Sequence, residues 1–325
     1  MKLIKNLLKK VLKKIRNCAI ITTIIGIVGA LIAAAETILY LTSNGKADLS
    51  FIIKKASDTD NEREKERLRK ADMEWFSKQA FESFSIKSKD GHSLKAVYLP
   101  APGNSNKTAF CIHGIQSTGI REFATAAKYF YENGINSFII DQRACGKSGG
   151  KYVTYGRKES EDCKLWLDFV ANHFGPDMRV FVYGVSMGSS TALLLNNYEL
   201  PSNIEYIVAD CGYASVKDQI KNTFKSVHLP SGICYFMYKT ACNCHRIYNP
   251  DKVDILGAVR KCRLPILFVH GAIDDVVPIE NAYLLYENCN STDKKLLVPD
   301  NVGHSQSFAL SMNVREAIIK KILND

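Results

Sequence analysis

The sequence predicts an α/β fold built on a mostly parallel, doubly wound sheet, and three observations carry that expectation. Short apolar runs alternate with helical stretches from Thr108 onward. Two strand-like segments precede them and flank Lys89-Asp90-Gly91, a hairpin signal. Gly184-Val185-Ser186-Met187-Gly188 then joins one apolar run to an opening helix, as a strand-to-helix turn should. Strands are expected at 81–87, 93–99, 108–112, 137–140, 180–184, 206–209, 265–269 and 295–298. Helices are expected near 121–132, 158–173, 187–198, 279–288 and 305–323. No internal repeat or low-complexity tract interrupts the series. Residues 211–264 break the rhythm: more than fifty residues, rich in aromatics, separate two consecutive strands. A helical lid over a pocket is the expectation there, and a solvated excursion with its own small core is the alternative.

The N-terminal quarter of the chain has a different logic. The net charge is +10. Lys2, Lys5, Lys9, Lys10, Lys13, Lys14 and Arg16 supply seven of those charges with no acid among residues 1–16. Little excess remains for the body, which argues against nucleic-acid binding. Residues 1–16 also place Leu3, Ile4, Leu7, Leu8, Val11, Leu12 and Ile15 on one helical face, a basic amphipathic pattern suited to an anionic membrane surface. Cys18 to Ala35 is uncharged and would span about 27 Å as a helix, close to a bilayer's hydrocarbon thickness. The leading expectation is a single-pass anchor over 17–43, with the N-terminus cytoplasmic and the bulk of the chain outside. Ala33-Ala34-Ala35 keeps open a cleaved signal peptide and a secreted product, and a buried globular helix is the third reading. Residues 44–75 read as a charged linker or solvated helix, and 76–325 as the globular body.

Ten cysteines show no paired framework, and Cys111, Cys145 and Cys211 fall on or beside core strands, where a thiol acts as a small hydrophobe. Cys242-Asn243-Cys244-His245 lacks the second ligand pair a metal would need, so no metal and no cofactor is expected. Gly146-Lys147-Ser148 ends like a phosphate-binding loop, but Asp141 stands where its first glycine belongs. Asp141 and Arg143 are expected to brace that loop as an ion pair.

The chemistry starts at Ser186. A serine on such a turn is lifted off the sheet at the N-terminal end of a helix, where dipole and free N–H groups favour a developing negative charge. It needs a base and an orienting acid in the chain order Ser, Asp, His. His270-Gly271-Ala272-Ile273-Asp274 follows one apolar strand, and Gly303-His304-Ser305 follows the last. Ser186 is therefore expected to attack, His304 to take and return the proton, and Asp274 to fix the imidazole. Asp210 and Asp275 are the rivals for the acid. The backbone N–H groups of Met187 and Ile115 are the expected oxyanion donors, and His113 is expected to be structural.

Four motifs in order, His113-Gly114, the Asp141–Gly149 loop, the serine turn and His270 to Pro278, resemble the α/β-hydrolase superfamily over roughly residues 76–325. They look most like its membrane-anchored bacterial members of the esterase/lipase and serine-peptidase-like branch, which carry a helical cap. The resemblance implies hydrolysis of a small-molecule acyl ester through an acyl-enzyme. A peptidase removing N-terminal residues is the alternative, disfavoured by the few acids in 211–264 (Asp218, Asp251, Asp254). A non-catalytic scaffold that binds a ligand or partner is the other.

Overall fold

The structure is a computed structural model and describes residues 2–46 and 59–324. Its centre is an eight-stranded sheet in the order β1-β2-β4-β3-β5-β6-β7-β8. The strands are β1 Glu82–Lys87, β2 Ser93–Leu99, β3 Lys107–Ile112, β4 Asn136–Asp141, β5 Arg179–Val185, β6 Ile204–Asp210, β7 Ile266–Val269 and β8 Lys294–Leu297. β1 and β2 pair antiparallel, β2 pairs antiparallel with β4, and all later pairs are parallel. Each of the eight strands lies where the apolar runs place it.

The helices cover both faces because the inner strands are apolar on both. Along β5, Val180 and Val182 face one side while Phe181, Tyr183 and Val185 face the other. One side is filled by α3 (Gly119–Glu132) through Phe123, Ala126, Ala127 and Phe130, and by α11 (Met312–Asn324) through Val314 and Ile318. The other is filled by α4 (Arg157–Phe174) through Trp166, Leu167 and Val170, by α5 (Met187–Leu194), and by α8 (Ile255–Lys261) through Ala258 and Val259. Glu280–Asn288 forms α9, and the predicted helix over 305–323 is two pieces, α10 (Ser307–Leu310) and α11, since Ser311 is extended between them. The charged segment 60–77 forms α2 (Asp60–Ser77), which lies on α3 with Asp72 and Phe76 buried. Its many i,i+3 and i,i+4 ion pairs line the outer face.

The 211–264 insertion is helical, comprising α6 (Val216–Ser226), α7 (Ser231–Cys244) and α8. Much of its aromatic content is spent on packing: Tyr213, Phe224, Tyr235 and Tyr238 are buried in the same core as the sheet. Phe236 and Ile233 of α7 are exposed.

α1 runs unbroken from Lys2 to Ser43. Ile20–Ser43 is long and apolar enough to cross a membrane, and Ile20, Ile21, Ile25, Leu31 and Ile32 stand exposed. Its last turns behave differently, with Leu39, Thr42 and Ser43 buried against the body. The lysine-bearing loop after β4 corrects one expectation. Arg143 does not pair with Asp141. It donates to Asp162 of α4 (2.6 and 2.7 Å) and to Asp90 of the first hairpin (2.8 Å). Asp141 instead accepts from Gly119 N–H and Lys147 N–H, both at 2.8 Å. Its carboxylate sits over the loop backbone at Gly146, where unpaired amides satisfy it, while Arg143 is held by Asp90 and Asp162. Burial pushes the Asp162 carboxyl up to about 6 even with Arg143 bound.

Candidate active site

β5 delivers Ser186 and α5 carries the chain away, so the serine occupies the corner between them. Its φ of 56° and ψ of −118° are a conformation few non-glycine residues hold. Two glycines make the corner possible by close approach. A methyl group on Gly184 would overlap Gly188 O, and one on Gly188 would overlap Ile112 O at the end of β3. The corner is pinned to the neighbouring strand by Ser186 N–H donating to Asp210 O at 2.9 Å.

Three of the predicted site residues meet. His304 Nε2 lies 2.9 Å from Ser186 Oγ, and His304 Nδ1 lies 2.8 Å from Asp274 Oδ2. They come from three loops at the carboxyl ends of β5, β7 and β8, where a doubly wound sheet opens its crevice. The Asp274 loop closes on itself: Asp274 Oδ1 accepts from Val276 N–H (2.9 Å) and Val277 N–H (2.8 Å). Burial alone would raise the Asp274 carboxyl, but the His304 charge and hydrogen bond and the Val277 amide hold it below the ordinary carboxylate value.

Burial works against a charged His304, yet interactions with Cys211 and with the Asp274 carboxylate, which also hydrogen-bonds it, raise it well above an ordinary histidine. The Cys211 thiol is itself raised by burial, so it stays protonated near neutrality and Asp274 is the neighbour that acts there. Cys211 is the residue that sequence reasoning placed only in the core. Its sulfur, an Asp274 oxygen and a His304 nitrogen all lie within 4.8 Å of one another, a donor set that could hold a soft metal ion. The signal available in the sequence was its position directly after Asp210, at the end of a central strand.

The rivals for the acid stand elsewhere. Asp275 is exposed. Asp210 is buried and accepts one hydrogen bond, from Tyr183 Oη at 3.1 Å. His270 is a second buried imidazole that the sequence used only as a strand end. Its Nε2 lies 2.8 Å from Val277 O and 3.4 Å from Asp274 Oδ2, so it braces the acid's loop. Burial lowers its pKa and keeps it neutral.

The predicted oxyanion donors flank the serine in sequence or space. Met187 opens α5, and the first amides of a helix have no partner within it. Ile115 follows Gly114, whose Cα faces Ser186 closely enough that a Cβ would lie 3.3 Å from Ser186 Cβ. His113 is fully buried, with Nδ1 2.6 Å from Gly114 O and Nε2 accepting from Gln142 N–H at 2.9 Å. Those partners call for the neutral Nδ1–H tautomer, in keeping with a pKa lowered by burial. It ties the 113–116 loop to the loop after β4.

A parallel sheet with a strained serine corner, an imidazole and a carboxylate at its carboxyl edge defines the α/β-hydrolase class of fold. Comparison with known proteins agrees. The family described as Serine aminopeptidase, S33, matches residues 103–230. Among curated relatives, the uncharacterized protein YqkD of Bacillus subtilis is 26% identical over 306 residues, 92% of this chain and 96% of its own. An uncharacterized membrane protein of Saccharomyces cerevisiae is 24% identical over 218 residues, 66% of each chain. Among solved structures, the Pyrococcus furiosus esterase Pf2001 superposes with a TM-score of 0.61 at 22% identity, over 76% of this chain and 91% of its own. The chain has the α/β-hydrolase fold.

Proposed function

We propose that this chain is a serine hydrolase that cleaves a carboxylic ester of a small molecule through an acyl-enzyme. The observation that carries the reading is the His304 imidazole, hydrogen-bonded at one nitrogen to Ser186 and at the other to Asp274. Ser186 Oγ attacks the acyl carbon while its proton passes to His304 Nε2. The proton then goes to the departing alcohol, and the acyl group remains on Ser186. A water activated by the same imidazole releases the acid and restores the serine. Asp274, held anionic by Val276 N–H, Val277 N–H and His304, fixes the Nδ1–H tautomer and stabilises the imidazolium. Met187 N–H and Ile115 N–H stabilise the tetrahedral oxyanion. The body is residues 76–325, with 211–264 as the cap over the acyl pocket.

In this reading α1 anchors the enzyme as a single-pass span, with the catalytic body outside the membrane. Its exposed apolar stretch supports that, as does the yeast relative, itself described as a membrane protein. The helix is continuous through Ala33–Ala35, which favours a retained anchor over an extended cleavage segment.

The test is hydrolysis of p-nitrophenyl esters of graded chain length by the full chain in detergent micelles. Ser186→Ala should lower kcat by about 10⁴-fold or more, to background. Turnover equal to wild type in that variant would sink the assignment. A peptidase is the second reading, favoured by the S33 family match. Aminoacyl-arylamides turned over faster than esters, with the same loss in Ser186→Ala, would select it.

A further inference from the structure

The end of α1 is built into the hydrolase body rather than hung from it. The last carbonyls of any helix lack partners within the helix. Here three of them are capped by two segments of the body, the loop after β3 and the 153–155 stretch before α4. Leu41 O accepts from Gln116 Nε2 at 3.2 Å, Thr42 O from Tyr155 Oη at 2.9 Å, and Ser43 O from Val153 N–H at 2.8 Å. Side chains tighten the same contact. Ser43 Oγ is 2.8 Å from Tyr238 Oη, and Glu36 Oε1 is 2.7 Å from His245 Nε2, so α1 and α7 pair antiparallel over two turns. Gly45 then lies so close to the loop after β4 that a side chain there would overlap Cys145 and Ala144 O.

One of these bonds reaches the site. Gln116 is the second residue after Gly114, the glycine that faces Ser186, and it directly follows Ile115. Its φ is 56°, a left-handed conformation costly for a non-glycine residue, which persists only when its surroundings impose it. The side chain that accompanies this backbone is held by the Leu41 carbonyl. We infer that the last two turns of α1 support the active site from outside: Leu41 O, through Gln116 as a positioning residue, sets the 113–116 loop that carries the Ile115 N–H oxyanion donor. The helix long enough to cross a membrane therefore also sets catalytic competence. The inference rests on the serine-hydrolase reading above. A soluble form cut after Ser43 would lose all three caps together with buried Leu39.

The experiment uses the full chain in detergent micelles, with Gln116→Ala and the near-isosteric Gln116→Glu, which keeps the shape but loses the donor. Active sites are titrated with a fluorophosphonate, so that kcat refers to competent molecules only. Both variants should lower kcat by about 10- to 100-fold with KM within about twofold, the signature of a displaced donor. Unchanged kcat per titrated site would overturn the inference, even if melting temperature and the titrated fraction fell, because that pattern marks a merely structural contact. If wild type neither turns over esters nor reacts with the probe at Ser186, the hydrolase reading fails and takes this inference with it. Active wild type with unaffected variants rejects the inference alone.

Discussion

Asp210 and Asp274 are two buried carboxyls at the carboxyl ends of adjacent strands, and they are held in opposite states. Asp274 collects two backbone N–H groups and the His304 imidazole, so its charge is satisfied despite burial. Asp210 accepts from the Tyr183 hydroxyl, and its Oδ1 meets no hydrogen-bond partner among the described residues. Burial accordingly pushes it up to about 7, against the pull of Tyr183 and the nearby Ser307. Burial is common to both, so donors decide. A loop that turns back on its own carboxylate, as 274–277 does, makes an anion usable as an orienting group. A strand end whose amides are committed to the sheet does not.

The comparison breaks most visibly in turnover. Asp274→Asn should lower kcat for ester hydrolysis by about 10⁴-fold, because the amide favours the wrong imidazole tautomer. Asp210→Asn should stay within about threefold of wild type. Comparable losses in the two variants would mean that the acid's role is shared.

Stability gives the next largest contrast. A carboxyl at about 7 in the folded chain, against 3.8 when exposed, holds its proton more tightly when folded. Its folded-state advantage is present below 3.8 and is lost as pH rises towards 7. Ionised, it costs the folded state about 4 kcal/mol relative to a carboxyl of unchanged affinity. Asp210→Asn should therefore raise the melting temperature relative to wild type at pH 8 and narrow that gain towards pH 4. Asp274 has the opposite sign: its pKa is lowered by folding, so its contribution is present above 3.8 and fades as pH falls below that. Melting curves of Asp210→Asn from pH 8 to 4 and of Asp274→Asn from pH 8 to below 3.8 check the pair, and a pH-independent offset for Asp210→Asn would contradict it.

The smallest expected effect sharpens the electrostatics. His304 must be neutral to accept the Ser186 proton, and its pKa is raised well above 6.5. Activity should thus fall as pH drops through a midpoint above 6.5 in kcat/KM. In the residual activity of Asp274→Asn that midpoint should move down, since burial then acts without its opposing charge. Asp210→Asn should move it less, as a more distant and partly protonated neighbour. A midpoint that shifts equally in both variants would show that Asp210 carries a full charge at neutral pH.

Much of the fold was legible because its signals are short-range. Apolar runs such as 180–183 must be strands buried on both faces, and the glycine pair 184 and 188 marks a corner where no Cβ fits. The order of Ser186, Asp274 and His304 along the chain, each just past a strand, was legible for the same reason, since sheet direction alone brings those loops to one edge. The break at Ser311 was harder to see, because an amphipathic pattern runs on across one extended residue. Arg143 illustrates a different limit. Its charge demanded a carboxylate, but Asp90, Asp141 and Asp162 are all candidates by composition, and only packing removed the nearest one in sequence.

Local pattern was enough for the layered α/β architecture, the strained serine corner, the loops that bear His304 and Asp274, and an N-terminal helix apolar enough for a membrane. These follow from periodicity, turn sterics and chain direction, which act over a few residues. Only the tertiary structure decided which buried carboxyl is satisfied as an anion, that Cys211 and His270 surround the site, and that the carbonyls of Leu41, Thr42 and Ser43 are capped by residues more than seventy positions away. Those choices depend on which unpaired donors and acceptors meet once the core is closed, and no local pattern encodes a partner at that distance.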